Sequence, residues 1–340
     1  MSTKKLKAGL IGCGNIGSLY DEGLIQRESV IDHSPITHAS ALIKSPNTEL
    51  VAICDSNANR LKTCGVARSI ENQYADFAEM LSKEKIDLLC IATHPAPYSE
   101  ILKLAGKAGI RRILLEKPAA DTAQGIEELA RISKEFKQLV AVNYLRNWYP
   151  ATVSLKSEIE SRTLGQPIHV HINYDKGLLN NGTHALALIQ YLIGLDQFQS
   201  TDAASDPEHA YGSDRTWSFR AQISHKGSIA KITSCAFDYR KFSIFELDFV
   251  FEFARVRFTE FGTKIRIDNI RPDHEHTEYK VFTPRSRIID AHSTAFTNAI
   301  HNISTAQGES ELNFSIQDSI PLLKSVELIQ NSENRNGLNL

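Results

Sequence analysis

Apolar and polar positions divide the chain into two patterns. In the first half, short apolar runs alternate with longer stretches whose apolar residues recur every three or four positions. The short runs predict strands, and the longer stretches predict helices. Strands that are apolar throughout are typical of a parallel sheet covered on both faces, and right-handed crossovers make such a sheet doubly wound. The predicted strands are 6–12, 49–54, 86–92, 112–116 and 138–142.

The second half has a period of two between positions 216 and 282. Its clearest stretch places aromatic and aliphatic side chains on one face and acidic side chains on the other. This alternation predicts an antiparallel sheet with one buried face. The predicted buried face is Phe245, Leu247, Phe249, Phe251 and Phe253.

The change of pattern near residue 150 indicates two domains, as does the length of 340 residues. We expect the first domain at 1–148 and the second at 149–340. In the second domain, helical spacing predicts helices over 184–193, 287–303 and 316–329.

Composition narrows the classes of protein. A formal net charge of −2 gives no electrostatic reason to expect binding to nucleic acid or to an anionic membrane. Apolar runs are too short to cross a bilayer. The 5 cysteines are odd in number and lack C-x-x-C spacing, which is typical of buried thiols in a reducing compartment. We therefore expect a cytoplasmic protein with a small-molecule partner, no nucleic acid and no membrane.

The first apolar run ends in a loop with the spacing G-x-G-x-x-G. In a dinucleotide site, Gly12 allows the tight turn, Gly14 lets the backbone approach a pyrophosphate, and Gly17 lets the next helix pack close to the strand. Asn15 and Ile16 begin that helix, whose amide groups and positive dipole end attract phosphates. Glycine-rich turns are common, so the motif predicts a dinucleotide site only together with supporting residues.

Asp55 ends the second predicted strand and is one such residue. A carboxylate there accepts hydrogen bonds from both ribose hydroxyls of NAD and repels the 2′-phosphate of NADP. The sequence therefore favours NAD, although Ser56 and Arg60 could soften the preference and leave NADP possible. The alternative is that Asp55 caps the helix that follows.

The spacing between the glycine loop and Asp55 is unusual. Asp55 follows Gly17 by 38 positions, whereas about 20 is usual in this kind of fold. The surplus lies between 18 and 37, is largely polar, and contains Gly23 and Pro35. We interpret it as an insertion beside the phosphate turn, either a surface loop or a flap over cofactor or substrate.

Glu116, Lys117 and Pro118 follow a predicted strand at its carboxyl end, where ligands bind in open sheets. An ammonium group at Lys117 could stabilise the alkoxide-like oxygen that develops during hydride transfer. Pro118 restricts Lys117 to extended geometry and could form a cis peptide bond. The alternative is a surface ion pair.

His184 begins an apolar helical stretch, with Thr183 as a possible cap. A ring at the positive end of a helix stays neutral more readily, so it could accept a proton. The alternative is a core or capping histidine. Two further histidines, His169 and His171, lie two apart, but without a third ligand at a telling spacing they predict no metal site.

These motifs together resemble the Gfo/Idh/MocA oxidoreductases, the group around glucose–fructose oxidoreductase and inositol dehydrogenase. The resemblance implies an N-terminal Rossmann domain and a C-terminal α/β domain with an open, mainly antiparallel sheet that joins homodimers or homotetramers. It also implies that Lys117 and His184 are catalytic and face the substrate beside the nicotinamide. The matching motifs are Gly12-x-Gly14-x-x-Gly17, Asp55, Ile91-Ala-Thr93, Glu116-Lys-Pro118, Val142-Asn-Tyr-Leu-Arg146, Leu164-Gly165, and His184 before Gly194.

The resemblance extends to binding residues. It places the cofactor against the glycine loop, Asp55, Thr93, His94, Glu116 and Lys117, and the substrate against Tyr144, Arg146, Asn180 and His184. The family often has Asp where this chain has Asn180. An amide can orient a hydroxyl but cannot shuttle a proton, so Lys117 and His184 would have to suffice.

The expected function is an NAD(P)-dependent oxidoreductase that transfers hydride between nicotinamide and a carbinol or ketone of a sugar, nucleotide-sugar or polyol. Two alternatives stay open. One is an NAD-dependent glycoside hydrolase or epimerase with no net redox change. The other is a regulator that binds dinucleotide without turnover, which Asn180 favours and the presence of Lys117 and His184 opposes.

Overall fold

The computed structural model describes residues 4–21, 35–272, 280–290 and 294–333. Two compact units divide the chain. One comprises Met1–Trp148 with Ser293–Ser319, and the other comprises Tyr149–His292 with Ile320–Leu340. The boundary after residue 148 coincides with the change of pattern in the sequence.

A six-stranded parallel sheet forms the centre of the first unit, with the order β3-β2-β1-β4-β5-β6. This is the doubly wound order of a Rossmann fold, in which the direction of winding reverses between β1 and β4. The short edge strand β3 was missed by the sequence pattern because only three residues pair there. The strands are β1 (Leu6–Ile11), β2 (Thr48–Cys54), β3 (Asn72–Tyr74), β4 (Leu88–Ile91), β5 (Arg112–Leu115) and β6 (Leu139–Val142).

Helices connect these strands, as the sequence predicts. Several begin at a polar cap; for example, Thr122 accepts a hydrogen bond from the Gly125 amide at the start of α5. Buried residues on the α5 face include Ile126, Leu129 and Ile132. The helices of this unit are α1 (His38–Lys44), α2 (Ala58–Arg68), α3 (Phe77–Lys83), α4 (Tyr98–Lys107), α5 (Ala123–Glu135) and α8 (Ala295–Thr305).

The segment 293–319 returns to the first unit, although the sequence pattern grouped all of 149–340 together. Its backbone joins the edge of the parallel sheet: Val142 N donates to Phe314 O at 3.0 Å, and Ile316 N donates to Val140 O at 2.9 Å. Arg112 also donates from Nη2 to the carbonyl of Ala306 at 3.1 Å.

The second unit is built on an eight-stranded mixed sheet, with the order β14-β13-β12-β11-β7-β10-β9-β8. Only the β7–β10 pair among these neighbours is parallel; the other pairs are antiparallel. The strands are β7 (Pro167–Tyr174), β8 (Gln199–Ser205), β9 (Trp217–His225), β10 (Ser228–Ala236), β11 (Phe245–Phe251), β12 (Ala254–Thr259), β13 (Lys264–Pro272) and β14 (Lys280–Asp290). The helices are α6 (Pro150–Glu160), α7 (Thr183–Ile193) and α9 (Ser319–Gln330).

The buried face of this sheet follows the period-two pattern, with one error. Phe245, Phe249 and Phe251 are buried, but Phe253 is 55% exposed. The prediction for Phe253 was wrong because β11 ends at Phe251 and the next two residues turn into β12.

The predicted helix at 287–303 was wrong over its first residues. Residues 287–290 belong to β14 and pair with 264–267 of β13. Local helical spacing is a weak preference, and ladder hydrogen bonds with a neighbouring strand override it. The helix itself, α8, begins at Ala295.

Candidate functional site

The carboxyl ends of the parallel strands meet at one edge of the first unit. The glycine loop follows β1, Asp55 follows β2, and Lys117 follows β5. In an open α/β sheet the crevice at this edge, beside the reversal between β1 and β4, is where ligands bind.

The glycine loop is shaped by close backbone approaches. At Gly12, with φ of 99°, a Cβ atom would lie 2.6 Å from the carbonyl oxygen of Ala92. At Gly17 it would lie 2.0 Å from the carbonyl oxygen of Gly12. Gly14 differs, because the nearest atom to its would-be Cβ is Arg60 Nη1 at 3.9 Å. The open space over Gly14 fits the close approach of a dinucleotide pyrophosphate.

A helical turn leaves this loop and is then interrupted. Ser18 N donates to Gly14 O at 2.8 Å, so the amides of Asn15 and Ile16 precede the first hydrogen bond of the turn and point outward. The helix resumes at α1, where His38 N donates to Ile16 O at 3.1 Å and Ala39 N donates to Gly17 O at 2.9 Å. The insertion therefore interrupts the helix that follows the glycine loop.

Asp21 joins the two ends of the insertion. Its carboxylate is 5% exposed, accepts from the Thr37 hydroxyl, and accepts from Ile36 N at 3.3 Å. Thr37 in turn caps α1 by accepting from Ser40 N at 3.3 Å. The stretch between, 22–34, lies outside the described residues, and so does the expected flap.

Asp55 is tied to the backbone on both sides. One carboxylate oxygen accepts from Cys13 N at 2.7 Å, within the glycine loop, and the other accepts from Asn57 N at 2.8 Å. The cap of α2 is Asn57, not Asp55. Each carboxylate oxygen accepts more than one hydrogen bond, so these contacts orient Asp55 beside the loop and leave its role as ribose ligand a prediction.

Thr93 lies against the glycine loop, because its Cγ2 would be 3.1 Å from a Cβ at Gly12. The Tyr98 hydroxyl fixes this turn by donating to Thr93 O at 2.6 Å. His94 is exposed, and its place near the nicotinamide stays a prediction.

The Lys117–Pro118 peptide bond is cis. Beneath it, Glu116 is buried and accepts from His38 Nε2 at 2.7 Å, from Asn143 Nδ2 at 2.5 Å and from Lys117 N at 3.2 Å. Burial favours the neutral acid and is the largest single influence, but the hydrogen bonds from His38 and Asn143 and the charge of Lys117 together hold the pKa of Glu116 below its ordinary value.

His38 was missed by the sequence analysis. Its ring is fully buried at the start of α1, among the buried residues Ala39, Ala41 and Leu42. The available signal was a histidine directly after Thr37, a residue type that often caps helices, in a segment whose other inward residues are small or apolar. That signal alone cannot name Glu116 as the partner, because 78 positions separate the two.

Two predicted substrate residues follow β6. Tyr144 is 1% exposed, and its ring packs edge-on against Phe314 with centroids 5.1 Å apart. Arg146 is half-buried in the 3₁₀ helix Leu145–Trp148. Their substrate contacts stay predictions, and for Tyr144 the burial shows a packing role as well.

In the second unit, His184 follows a π-helix. The π-helix spans Leu178–Gly182 and leads directly into α7. Thr183 does not cap α7; its hydroxyl donates to Leu179 O at 2.7 Å. His184 therefore lies beyond the first turn of a helical segment that starts at Leu178, and the positive helix end acts on it less than the sequence suggested. Its ring packs edge-on against Phe245, with centroids 6.4 Å apart.

The loop 214–216 accepts hydrogen bonds from four successive backbone amides at the start of this segment. Thr216 Oγ1 accepts from Gly177 N at 2.9 Å, and Arg215 O accepts from Leu178 N at 2.9 Å. The two oxygens of Asp214 accept from the amides of the next two residues, Leu179 and Asn180, at 3.1 and 2.8 Å. Short π-helical turns are frequent at functional sites, and this one is fixed from outside.

We expect Asp214→Ala to raise hydrogen exchange at the Leu179 and Asn180 amides by about tenfold or more, because their acceptor is removed. Site-resolved exchange by mass spectrometry measures it. Asp214→Asn keeps one carbonyl acceptor and should show a smaller increase. Equal exchange in Asp214→Ala and the wild type would show that Asp214 does not hold the segment.

Comparison with known proteins fits this geometry. The sequence profile of an oxidoreductase family with an NAD-binding Rossmann fold, Gfo/Idh/MocA, matches residues 6–144. The match covers the parallel sheet of the first unit and ends before the second unit begins. The description of that family includes NAD binding by its Rossmann fold, and the glycine loop lies within the matched residues.

The individual relatives of this chain are distant in sequence. D-apiose dehydrogenase from Paraburkholderia graminis is 23% identical over 71% of this chain and 63% of its own length. Inositol 2-dehydrogenase from Salmonella paratyphi B is 27% identical over 49% of this chain and 45% of its own. The matches thus span about half to two thirds of these relatives.

The fold of the whole chain matches that of a crystal structure. An oxidoreductase from Agrobacterium radiobacter, in complex with NAD+, L-tartaric acid and magnesium, has a TM-score of 0.71 and 16% identity. The match covers 98% of each chain. At this identity it shows a shared fold.

The paired histidines of the second unit make ordinary hydrogen bonds. His169 and His171 share the Thr233 hydroxyl, at 3.0 and 2.8 Å. Burial, followed by the charge of His171, lowers the pKa of His169. In the part of the chain that the structure describes, no three His, Cys, Asp or Glu side chains are grouped to hold a metal ion. No helix among the described residues is long and apolar enough to cross a membrane.

Proposed function

We propose that this protein is an NAD-dependent oxidoreductase of the Gfo/Idh/MocA family, acting on a carbinol or ketone of a sugar, nucleotide-sugar or polyol. The observation that carries the proposal is the meeting of the glycine cradle, Asp55 and Lys117 at one edge of the parallel sheet. The names of the relatives, D-apiose dehydrogenase and inositol 2-dehydrogenase, support a polyhydroxylated substrate.

The cofactor contacts follow from this edge. The amides of Asn15 and Ile16 would bind the pyrophosphate above Gly14, while the oxygens of Asp55 would accept from the ribose hydroxyls. Thr93 and His94 would line the nicotinamide. When bound, the nicotinamide accepts or donates the hydride.

Lys117 would bind the reacting oxygen of the substrate. Hydride removal from a carbinol places negative charge on that oxygen, and a positioned ammonium stabilises it. The charge of Lys117 contributes to the lowered pKa of the buried Glu116 carboxyl, so the two groups attract each other.

His184 would exchange the hydroxyl proton, taking it in oxidation and giving it back in reduction. Asn180 and Arg146 would orient other hydroxyls of the substrate, and Arg146 suits a phosphate or carboxylate. The start of the His184 segment is held by Asp214, which gives the ring a defined position within its unit.

The test is a panel of polyols, sugars and nucleotide-sugars, including inositol and D-apiose, with NAD or NADP and NADH absorbance as the readout. We expect turnover with NAD and a fall in kcat of about 10²–10⁴ in His184→Ala. His171→Ala, a half-buried histidine on the sheet, is the control and should keep the wild-type rate. Unchanged turnover in His184→Ala would refute the catalytic role of His184.

The same panel separates the alternatives. A hydrolase or epimerase would convert a sugar without releasing NADH, and a regulator would bind NADH without converting any compound. Asn180, in place of an acidic residue, is what keeps the regulator in consideration.

We also propose that the second face of the mixed sheet joins copies of the chain. Supporting this, it carries half-buried ion pairs, Arg255 with Asp248 and Arg257 with Asp268. Arginine is favoured at interfaces because its guanidinium pairs with carboxylates in two-point contacts. Sedimentation equilibrium should show a dimer or tetramer, and a monomer at all concentrations would refute it.

A cytoplasmic location is proposed from thiol chemistry. All five cysteines are free, and Cys13, Cys54, Cys64 and Cys90 are buried. Free thiols in this number are typical of reducing compartments. Cell fractionation tests the assignment, and recovery in an oxidising compartment would refute it.

A further inference from the structure

Glu116 lies in a buried pocket of donors contributed by separate elements. His38 on α1 and Asn143 after β6 both donate to Oε1, and Lys117 N donates to Oε2. His38 is fully buried, Asn143 is 3% exposed, and Glu116 is 6% exposed. Two of the three donors thus come from parts of the chain remote from Glu116 in sequence.

The ring of His38 is suited to donate. Within the described residues its Nδ1 atom has no hydrogen-bond partner, and the ring packs edge-on against Phe296 with centroids 5.4 Å apart. A proton on Nδ1 would be buried without an acceptor, so the proton belongs on Nε2, where Glu116 accepts it. The pair then carries one negative charge, that of Glu116.

His38 is also fixed along the backbone. Its amide donates to Ile16 O, and the preceding Thr37 is held by Asp21. The helical turn after the glycine loop and the turn at Lys117 are therefore connected through this one imidazole.

We propose that His38 is a positioning residue for Lys117: with Asn143 it keeps Glu116 as a buried anion, which anchors the Lys117 backbone and attracts its ammonium group. The inference rests on the proposed function, in which Lys117 binds the reacting oxygen.

Two further titratable side chains near Glu116 are uncharged and do not change the charge of the cluster. Cys90 on β4 and Tyr98 on α4 are buried, and burial, followed by the charge of Glu116, raises the pKa of each. Both stay neutral at acidic and neutral pH. The lowered pKa of Glu116 agrees with an anion stabilised by its buried donors.

The first measurement needs no substrate. Site-resolved hydrogen exchange of the Lys117 amide is compared in the wild type, His38→Leu and His38→Gln. Loss of the donor in His38→Leu should speed exchange about tenfold or more, whereas the amide of His38→Gln still donates and should keep the rate within about threefold. In a Glu116→Gln background, His38→Leu should add little. Equal effects in both backgrounds would overturn the proposal.

The second measurement is the pH dependence of kcat with the panel compound oxidised fastest. Without its donor, Glu116 has a higher pKa and becomes protonated at a higher pH. The acid limb of the pH profile of kcat for His38→Leu should therefore move up by about one pH unit or more. The KM for NAD should stay within about threefold, and His38→Gln should restore the limb. A purely structural role would reduce the amount of folded enzyme and leave the limb in place, which would overturn the proposal.

Failure of the proposed function is distinguishable. If Lys117→Met keeps the wild-type kcat, or no panel compound is oxidised, the proposed function is wrong, and the amide exchange still decides whether His38 anchors this turn through Glu116. If Lys117→Met abolishes turnover while His38→Leu matches the wild type in exchange and pH profile, the inference alone is wrong.

Discussion

Replacing Lys117 with methionine is expected to lower kcat by a factor of about 10²–10³, the usual loss when one positioned donor to a developing oxyanion is removed. Methionine keeps the length and much of the apolar bulk of the side chain but has no charge. Because Lys117 is half-buried and sits over the buried Glu116, the lost ammonium also leaves that carboxylate without its neighbouring cation. Steady-state NADH formation measures the effect.

The matched control is Lys107→Met, an exposed lysine at the end of α4. It should keep kcat within about twofold of the wild type, since exposed substitutions rarely disturb a fold. NADH affinity should change little in Lys107→Met. A wild-type kcat in Lys117→Met would remove Lys117 from the chemistry.

Two alanine substitutions in the glycine loop are expected to fail for different reasons. In Gly17→Ala the new Cβ would lie 2.0 Å from the backbone oxygen of Gly12. Two backbone segments must then move apart, at a cost of about 2–3 kcal/mol in the free energy of unfolding. In Gly14→Ala nothing closer than Arg60 Nη1, at 3.9 Å, meets the new atom, so the fold should tolerate it.

The two glycine variants should also differ in their affinity for the cofactor. The methyl group of Gly14→Ala occupies the space proposed for the pyrophosphate, so we expect NADH to bind at least about tenfold more weakly to a protein of wild-type stability. Fluorescence titration with NADH and urea unfolding give the two quantities. Wild-type NADH affinity in Gly14→Ala would show that the pyrophosphate does not lie over this glycine.

The sequence predicted the parallel sheet well, because its strands are apolar on both faces and few other structures share that pattern. It predicted the edge positions of Gly12, Asp55 and Lys117 for the same reason: each follows the end of a strand. Periodicity failed at Phe253 and at 287–290, where a turn and a long-range strand pairing decide the structure.

The contacts that organise the site were beyond the sequence. His38 and Glu116 are 78 positions apart, and Asp214 and Asn180 are 34 apart. Each pair meets only after the elements between them have packed. A polar residue in an apolar surrounding marks where such a partner is needed, but the residue types alone do not say which partner it is.

The contact between Asp21 and Thr37 joins the two ends of the insertion after the glycine loop. The carbonyls of Ile16 and Gly17 accept hydrogen bonds directly from amides of α1. The register of the turn after the glycine loop therefore does not depend on the number of residues between 21 and 37. This position is thus suited to engineered insertions. A short linker, a peptide tag or a small reporter domain placed there would begin after Asp21 and end before Thr37, whose side chains contact each other. His38, in the helix that begins after the insertion, contacts Glu116 beside Lys117. A group inserted at this position would therefore be linked through His38 to the turn that carries the proposed catalytic lysine.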